Sequence, residues 1–463
     1  MPSSPQHQRA AVASAPATTA VSRTSPYLSE VDFIDFVYKP HTLTAMVILV
    51  STLFALWKWQ HLPGGDMLSS VKLGLAAAAW VFVVFGTIHL PDGLMVRPHP
   101  IFWRFILSIA ILYLMLIAFL TFQDLATVKQ LFAWYDPIHT VVHPEQSYAN
   151  DCRLSTPEEP YKFWTTIFDI FLLAHSMGYW AKMVVIRDWR IVTAVSIGFE
   201  LVEVTFQHQL PNFKECWWDH VICDVLICNG GGTVLGYLTL KLFGAKPYHW
   251  ARLEDIPTLK GKAQRVLKQF TPRSFDAYNW HMFQSAKRFT QVCLLLTVFT
   301  MNEINCFTMK NILNQKPTYH LVPMRLVMWG FLAVPGLREY YCYISDPTVK
   351  RLGTFAWVGT IALFMETVFI AKMRVEGGYF TEPTPASIGI PWIIAGSMMA
   401  AWVVLYFGVP CLRRSVITRL LLNVLYFGAF LVLLAMCCMA NADTQWGLEE
   451  FNAFVKEHRL WES

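Results

Sequence analysis

The stretch IFWRFILSIAILYLMLIAFLTF, residues 101–122, carries one charged side chain, Arg104, in 22 positions. A hydrocarbon core about 30 Å thick takes roughly 20 mostly apolar residues per helix, so such a stretch reads as a membrane span. Comparable runs recur near 42–59, 71–90, 163–186, 190–208, 219–243, 287–308, 321–338, 353–372, 388–409 and 416–439. Alternating barrel-strand patterning is absent, which leaves helices to satisfy the backbone. The expectation is an all-α, polytopic helical membrane protein with about ten to eleven transmembrane helices. Two spans are candidates for re-entrant segments: 163–186, interrupted by Asp169, His175 and Lys182, and the short 321–338, which holds Pro323 and Pro335. The whole chain agrees, with 55% hydrophobic and only 15% charged residues in 463.

Basic residues orient the set. Lys246, Arg252, Lys260, Lys262, Arg265, Lys268 and Arg273 fall in the loop near 244–286. Arg187 and Arg190, Lys350 and Arg351, and Arg413 and Arg414 share its side if eleven spans exist, and that side is then cytosolic, together with the N-terminus. The loop near 123–162, with Asp124, Asp136, Glu145, Asp151, Glu158 and Glu159, lies opposite. Residues 1–30, rich in Ala, Ser, Thr and Pro, read as a disordered tail without a signal-peptide core, which leaves targeting to the first span. Residues 31–440 read as a single polytopic membrane catalytic domain with its core near 163–243. Residues 441–463, with Trp446, Phe451, Phe454, Val455 and Leu460 among charges, read as an interfacial amphipathic tail. A net charge of +5 spread over loops gives no footprint for nucleic acid. The ten cysteines, mostly in apolar segments, read as reduced small hydrophobes, with Cys152 in a polar loop the one candidate exception.

Acids concentrate where lipid should exclude them. Asp169, His175, Lys182, Glu200, Glu203, His208, Asn212, Glu215, Asp219, Asp224 and Asn229 lie in or beside three consecutive spans. An acid at mid-span costs on the order of 2.5–3.5 kcal/mol on insertion scales, so each needs a partner or a purpose. Glu200 and Glu203, three apart, share a helical face. On an α-helix Asp224 stands about 140° from Asp219, so the acids form no single stripe. A turn at Leu210-Pro211-Asn212-Phe213 could bring two helices together around one volume. Clustered carboxylates protonate unless a cation compensates them. A hard divalent ion fits: calcium takes six to eight oxygens, including amide carbonyls such as those of Asn212 and Asn229, and magnesium fewer. Zinc lacks its Cys/His spacing. The plain alternative pairs the acids with Lys182, Lys214, His208 and Arg190, too few bases to neutralise them all.

His175 suits a general base for a hydroxyl nucleophile, with Lys182 near the same face. Cys228-Asn229-Gly230-Gly231-Gly232 lacks a P-loop ending and reads either as close helix approach or as bare backbone against a head group. Trp217 and Trp218 read as interfacial belt residues, or as an indole face for a quaternary ammonium.

The run Phe199-Glu200-Leu201-Val202-Glu203, then Leu210-Pro211-Asn212-Phe213-Lys214-Glu215-Cys216-Trp217-Trp218-Asp219, Asp224 and Cys228-Asn229-Gly230-Gly231-Gly232, resembles the eukaryotic base-exchange phosphatidylserine synthases. Asp35 to Thr42, Arg97-Pro98-His99-Pro100, Tyr248-His249-Trp250, Gln269-Phe270-Thr271-Pro272 and Arg338-Glu339-Tyr340-Tyr341 extend the likeness over about 32–370. The resemblance implies an endoplasmic reticulum enzyme that exchanges the choline or ethanolamine of phosphatidylcholine or phosphatidylethanolamine for L-serine, with calcium and without CTP. It gives catalytic parts to His175, Asn212 and Asp224, and metal ligation to Glu200, Glu203, Glu215, Asp219 and Asn229. Magnesium and manganese are lesser options for the ion. Trp217, Trp218 and Lys182 become candidate substrate contacts, and Arg97 and Arg338 candidate lipid-phosphate or regulatory contacts. A homodimer in the bilayer is a further expectation. The final span and tail depart from the family pattern.

The expected chemistry is attack of the serine hydroxyl on phosphorus with His175 taking its proton, or a covalent phosphohistidine route. Three rivals stand beside it. CDP-alcohol phosphotransferases need D-G-x2-A-R-x8-G-x3-D-x3-D, which this chain lacks. A membrane O-acyltransferase would depend on acyl-CoA, and an intramembrane cation transporter would move ions without lipid turnover.

Overall fold

Local chemistry sets where the helices begin. Pro100 occupies a first turn that needs no N–H from it, and the His99 ring Nδ1 accepts from the Ile101 N–H at 3.2 Å. Asp124, Asp188 and Ser285 do the same for three more helices, accepting from the N–H groups of Thr127, Arg190 and Arg288. The computed structural model describes residues 40–60, 67–95, 97–141, 147, 149, 152, 170–216, 218–242, 254–269, 278–316, 319–408 and 416–445. These hold α1 (Pro40–Gln60), α2 (Met67–His89), α3 (Pro100–Thr121), α4 (Leu125–Tyr135), α5 (Ile170–Ile186), α6 (Trp189–Phe206), a π-helix (Asp219–Gly230) that continues directly into α7 (Gly231–Leu242), α8 (Leu259–Gln269), α9 (Ala286–Ile312), α10 (Leu321–Ser345), α11 (Thr354–Gly377), α12 (Ala386–Gly408) and α13 (Val416–Gln445). No strand occurs among the described residues. The all-α, polytopic expectation therefore holds.

Eight helical segments are long and apolar enough to cross a membrane: α2, α3, the joined π-helix and α7, α9, α10, α11, α12 and α13. Of the other three expected spans, α1 has a shorter apolar stretch, Thr42–Lys58, α5 covers only the described part of 163–186, and α6 carries Arg190, Glu200 and Glu203. α10 runs unbroken through Pro335 from Leu321 to Ser345, so it is a full helix and not a re-entrant loop. The expected N-terminal tail 1–30 and residues 446–463 of the expected C-terminal tail lie outside the described residues.

The chain divides into two compact units, Met1–His61 and Leu62–Ser463, a division inside the stretch read as one domain. The first contributes α1. In the second, α3 packs against α2 and α11, and α10 packs on α11. Leu107, Ala110, Trp329, Leu332, Phe355 and Ala362 fill the space between them. The fully buried Glu366 of α11 sits in this core as a hub. Arg325 Nη2 lies 2.6 Å from its Oε2, Trp329 Nε1 donates to it at 3.2 Å, Asn305 Nδ2 donates at 3.3 Å, and the Tyr113 hydroxyl also donates. One carboxylate thereby joins α3, α9, α10 and α11.

α5 and α7 lie unusually close. A Cβ on Gly232 would collide with the Ser176 carbonyl oxygen and stand 3.1 Å from the Trp180 backbone nitrogen, and one on Gly236 would stand 2.9 Å from the Trp180 oxygen. Gly232 of the glycine run thus realises the close-helix reading, while a Cβ on Gly231 would meet nothing within 4 Å. The cysteine reading needs correction: Cys152 and Cys216 form a disulfide across 64 residues. The polar loop supplied one partner, and the other comes from beside the acid-bearing turn. Spacing alone gave no hint that they meet.

Candidate active site

α6 presents Glu200 and Glu203 in its last two turns, and the chain then reverses through a 3-10 turn, Pro211–Phe213. That turn buries Phe213 against Phe199 and Phe307, so apolar packing holds the reversal, in which Asn212 is also buried. Glu215 follows, then the π-helix. Its wider winding changes the sequence arithmetic. In a π-helix residues five apart stand one turn above each other, and Asp219, Asp224 and Asn229 are five apart. The α-helical angle had separated Asp219 from Asp224. The wider winding instead turns all three toward one face, and π-turns of this kind recur at functional sites.

At the centre is His220, a residue the sequence reading passed over. Its Nδ1 lies 2.9 Å from Glu200 Oε2, 3.5 Å from Glu203 Oε2 and 3.9 Å from Glu215 Oε2. The only local signal was its place after Asp219. On an α-helix nothing directs it toward α6. Two sets of possible ligand atoms occur, one from Glu200, Glu203 and His220 and one from Glu215, His220 and Asp224, and within each set the atoms lie within 4.8 Å of one another. Asn229 Nδ2 donates to Ser196 Oγ at 2.9 Å and toward Glu200 Oε1 at 3.5 Å. Ser196 stands four residues before Glu200 on the same face, a spacing from which it was legible.

His175, in the first half of α5, places Nδ1 3.0 Å from Asp224 Oδ1. The imidazole remains about a third exposed, at 38%, whereas the aspartate is buried at 11%. A partly exposed histidine held on one nitrogen by a carboxylate is the arrangement of an oriented general base.

The donor set fits a hard divalent cation on independent grounds. Asn212 Oδ1, Asn229 Oδ1 and His220 Nε2 are buried and find no hydrogen-bond partner among the described residues. Buried acceptors left unpaired cost about 1–3 kcal/mol each. Burial, and next the neighbouring Glu203, push the Glu215 carboxyl well above the usual carboxylate range. So many acids in one dry volume do not stay charged without a counter-cation, and carboxylate and amide oxygens are what calcium takes.

Other expected site residues fall elsewhere. Lys182 pairs with Glu303 of α9 and lies 3.8 Å from the Tyr179 ring centroid, so it serves a neighbouring ion pair. Trp218 is buried, and its Nε1 donates to the Cys152 carbonyl at 3.0 Å, which makes it a clamp on the disulfide-linked segment and not an open indole face. Trp217 and Asp169 lie outside the described residues. Arg338 Nη1 contacts Met95 Sδ at 3.8 Å, and the Arg97 carbonyl accepts from Trp103 Nε1 at 2.7 Å. Neither arginine is brought to the acid cluster by a contact seen here.

Residues 98–374 match the family described as Phosphatidyl serine synthase. The chain is 38% identical over 371 residues to CDP-diacylglycerol–serine O-phosphatidyltransferase 2 of Oryza sativa subsp. japonica, covering 78% of this chain and 87% of that protein. It is 35% identical over 377 residues to phosphatidylserine synthase 2 of Homo sapiens, covering 80% and 77%. To the phosphatidylserine synthase of Drosophila melanogaster it is 34% identical over 366 residues, covering 78% and 71%. The acid-bearing turn, the π-helix and His175 all lie inside the matched region, and the chain belongs to the phosphatidyl serine synthase family.

Proposed function

We propose that this protein makes phosphatidylserine by base exchange in the endoplasmic reticulum membrane. L-serine replaces the choline or ethanolamine of an existing phospholipid, with calcium and without a CTP-derived donor. The observation that carries the reading is the His175–Asp224 pair, 3.0 Å apart, set beside the carboxylates around His220 within a bundle of apolar helices.

Asp224 accepts from His175 Nδ1 and so holds the tautomer whose Nε2 takes a proton. The serine hydroxyl gives that proton to Nε2 as its oxygen bonds to phosphorus. The phosphorus–oxygen bond to choline or ethanolamine breaks, and Nε2 returns the proton to the departing alkoxide. Calcium, held by Glu200, Glu203, Glu215, Asp219 and Asn229, would supply positive charge toward the non-bridging phosphate oxygens. Magnesium and manganese suit so many protein oxygens less well. Asn212, whose buried amide oxygen is left unpaired in the turn between α6 and the π-helix, would position substrate. Burial of Glu203, Asn212, Asp224 and Asn229 limits bulk water, which favours transfer to serine over hydrolysis.

The name of the Oryza relative specifies CDP-diacylglycerol as donor, whereas the names of the human and Drosophila relatives specify none. The missing CDP-alcohol phosphotransferase motif supports the phospholipid. Purified full-length protein in vesicles of phosphatidylcholine alone, or phosphatidylethanolamine alone, with labelled serine and calcium, should form labelled phosphatidylserine and release an equal amount of the free base. The His175→Ala variant should not. Labelled lipid formed only when CDP-diacylglycerol is added, with release of CMP, sinks the base-exchange reading.

A further inference from the structure

The Cys152–Cys216 disulfide and the site residues lie at one end of the helix bundle, and the basic segments lie at the other. Cys216 follows Glu215 directly, Trp218 donates to the Cys152 carbonyl at 3.0 Å, and Ser147 Oγ donates to the Lys214 carbonyl at 3.4 Å. Ser147 and Cys152 are thus pinned against the turn that bears Asn212 and Glu215. The same end holds the 207–209 turn, where the Gln209 side chain donates to the Glu382 carbonyl. Along the helices, His175 lies in the N-terminal half of α5 and Glu200 and Glu203 in the C-terminal half of α6, while Arg187 and Arg190 mark the opposite ends of both. At that opposite end Trp280 Nε1 donates to the Ile186 carbonyl at 3.2 Å and Arg187 lies 4.7 Å from the Tyr278 ring. α7 runs parallel to α5 through the Gly232–Ser176, Gly236–Met183 and Thr239–Trp180 contacts, so the connection between Leu242 and Tyr278, which carries α8 with Lys260, Lys262 and Arg265, begins and ends on that side.

Two independent rules now assign the ends. Basic loops stay cytosolic. Disulfides persist in oxidising compartments and are rare in the cytosol. Both place the acid cluster and His175 in the non-cytosolic half of the membrane. We propose that the exchange, on the function proposed above, works on phospholipids of the non-cytosolic leaflet and takes serine and the divalent cation from the compartment on that side. Product phosphatidylserine is then released into that leaflet, and its appearance on the cytosolic face requires a separate flip-flop step.

The test uses sealed microsomal vesicles, cytosolic face outward, from cells expressing the full chain. With labelled serine and the membrane-impermeant chelator EGTA outside, two results support the assignment: exchange that continues until alamethicin pores admit EGTA, or exchange that is latent and rises severalfold when pores open in the presence of calcium. Full exchange in sealed vesicles that external EGTA abolishes overturns it. Absence of exchange in pore-opened vesicles with calcium defeats the proposed activity instead, and a glycan map then decides sidedness alone. I138N completes an Asn-x-Thr acceptor with Thr140 on the disulfide side, at a residue 42% exposed, and K260N/K262T builds one on the basic side. An endoglycosidase H-sensitive size shift is expected for the first only. A shift on the second, or on neither, overturns the assignment.

Discussion

Asp224 faces His175 from the π-helix at 3.0 Å, and the value of that contact lies in which nitrogen it occupies. D224N keeps the shape but lets the amide stabilise the wrong tautomer. Turnover is expected to fall by about 10²–10⁴-fold, the range usual for a general base and its orienting acid. Initial rates of labelled serine incorporation at saturating calcium measure it, and an unchanged rate would reduce the pair to packing. His220 touches three carboxylates through a single nitrogen, so it positions ligands more than it reacts. H220A should raise the calcium concentration for half-maximal activity by about 10–100-fold, as loss of groups that orient ligands commonly does. A calcium titration that superimposes on the parent's would remove that role. Glu200, Glu203 and the five-residue ladder of Asp219, Asp224 and Asn229 were legible as residue types at telling positions, because an acid in an apolar run is conspicuous by its cost. Their partners were not.

Between elements, the tightest constraint is the backbone approach of α5 and α7. Gly231 has open space around it, whereas Gly232 faces the Ser176 carbonyl and the Trp180 nitrogen. G232A must part the two helices, and Ser176 adjoins His175, so both melting temperature and turnover should fall. G231A should leave turnover intact and hold or raise the melting temperature, since alanine is favoured over glycine in a helix by about 1 kcal/mol. Equal behaviour of the two variants in detergent thermal unfolding would refute the close-approach account. The Cys152–Cys216 link is the second inter-element device. C152S should lower stability by about 2–4 kcal/mol and, through the loosened Glu215 turn, raise the calcium requirement. Dithiothreitol should reproduce this in the parent and add nothing in the variant.

Across the whole molecule, one buried carboxylate ties helices that are remote in sequence. Glu366 accepts from Tyr113, 253 residues away, as well as from Arg325, Trp329 and Asn305. E366Q leaves Arg325 buried without its anion, which typically costs about 3–5 kcal/mol. R325M/E366L should lie closer to the parent than either single change, because an apolar pair leaves no unmatched charge behind. Thermal unfolding of the parent, R325M, E366L and R325M/E366L gives the coupling directly. Additive losses would mean that the two side chains do not act as a pair.

Run length and the P-N-F-x-E-C-W-W-D core were enough to read helices, membrane and family from the chain alone. Those properties are sums over neighbouring residues: transfer from water to lipid accrues residue by residue and asks nothing of distant segments. Convergence is of another kind. The π-winding that aligns Asp219, Asp224 and Asn229, the insertion of His220 among acids of α6, the diversion of Lys182 to Glu303 and the pairing of Cys152 with Cys216 depend on which surfaces meet. A one-residue change in helical turn rotates every later side chain, and no local propensity encodes it. Contacts across tens to hundreds of residues therefore chose, among the polar groups that the chain places in its spans, those that form the site and those that hold the bundle.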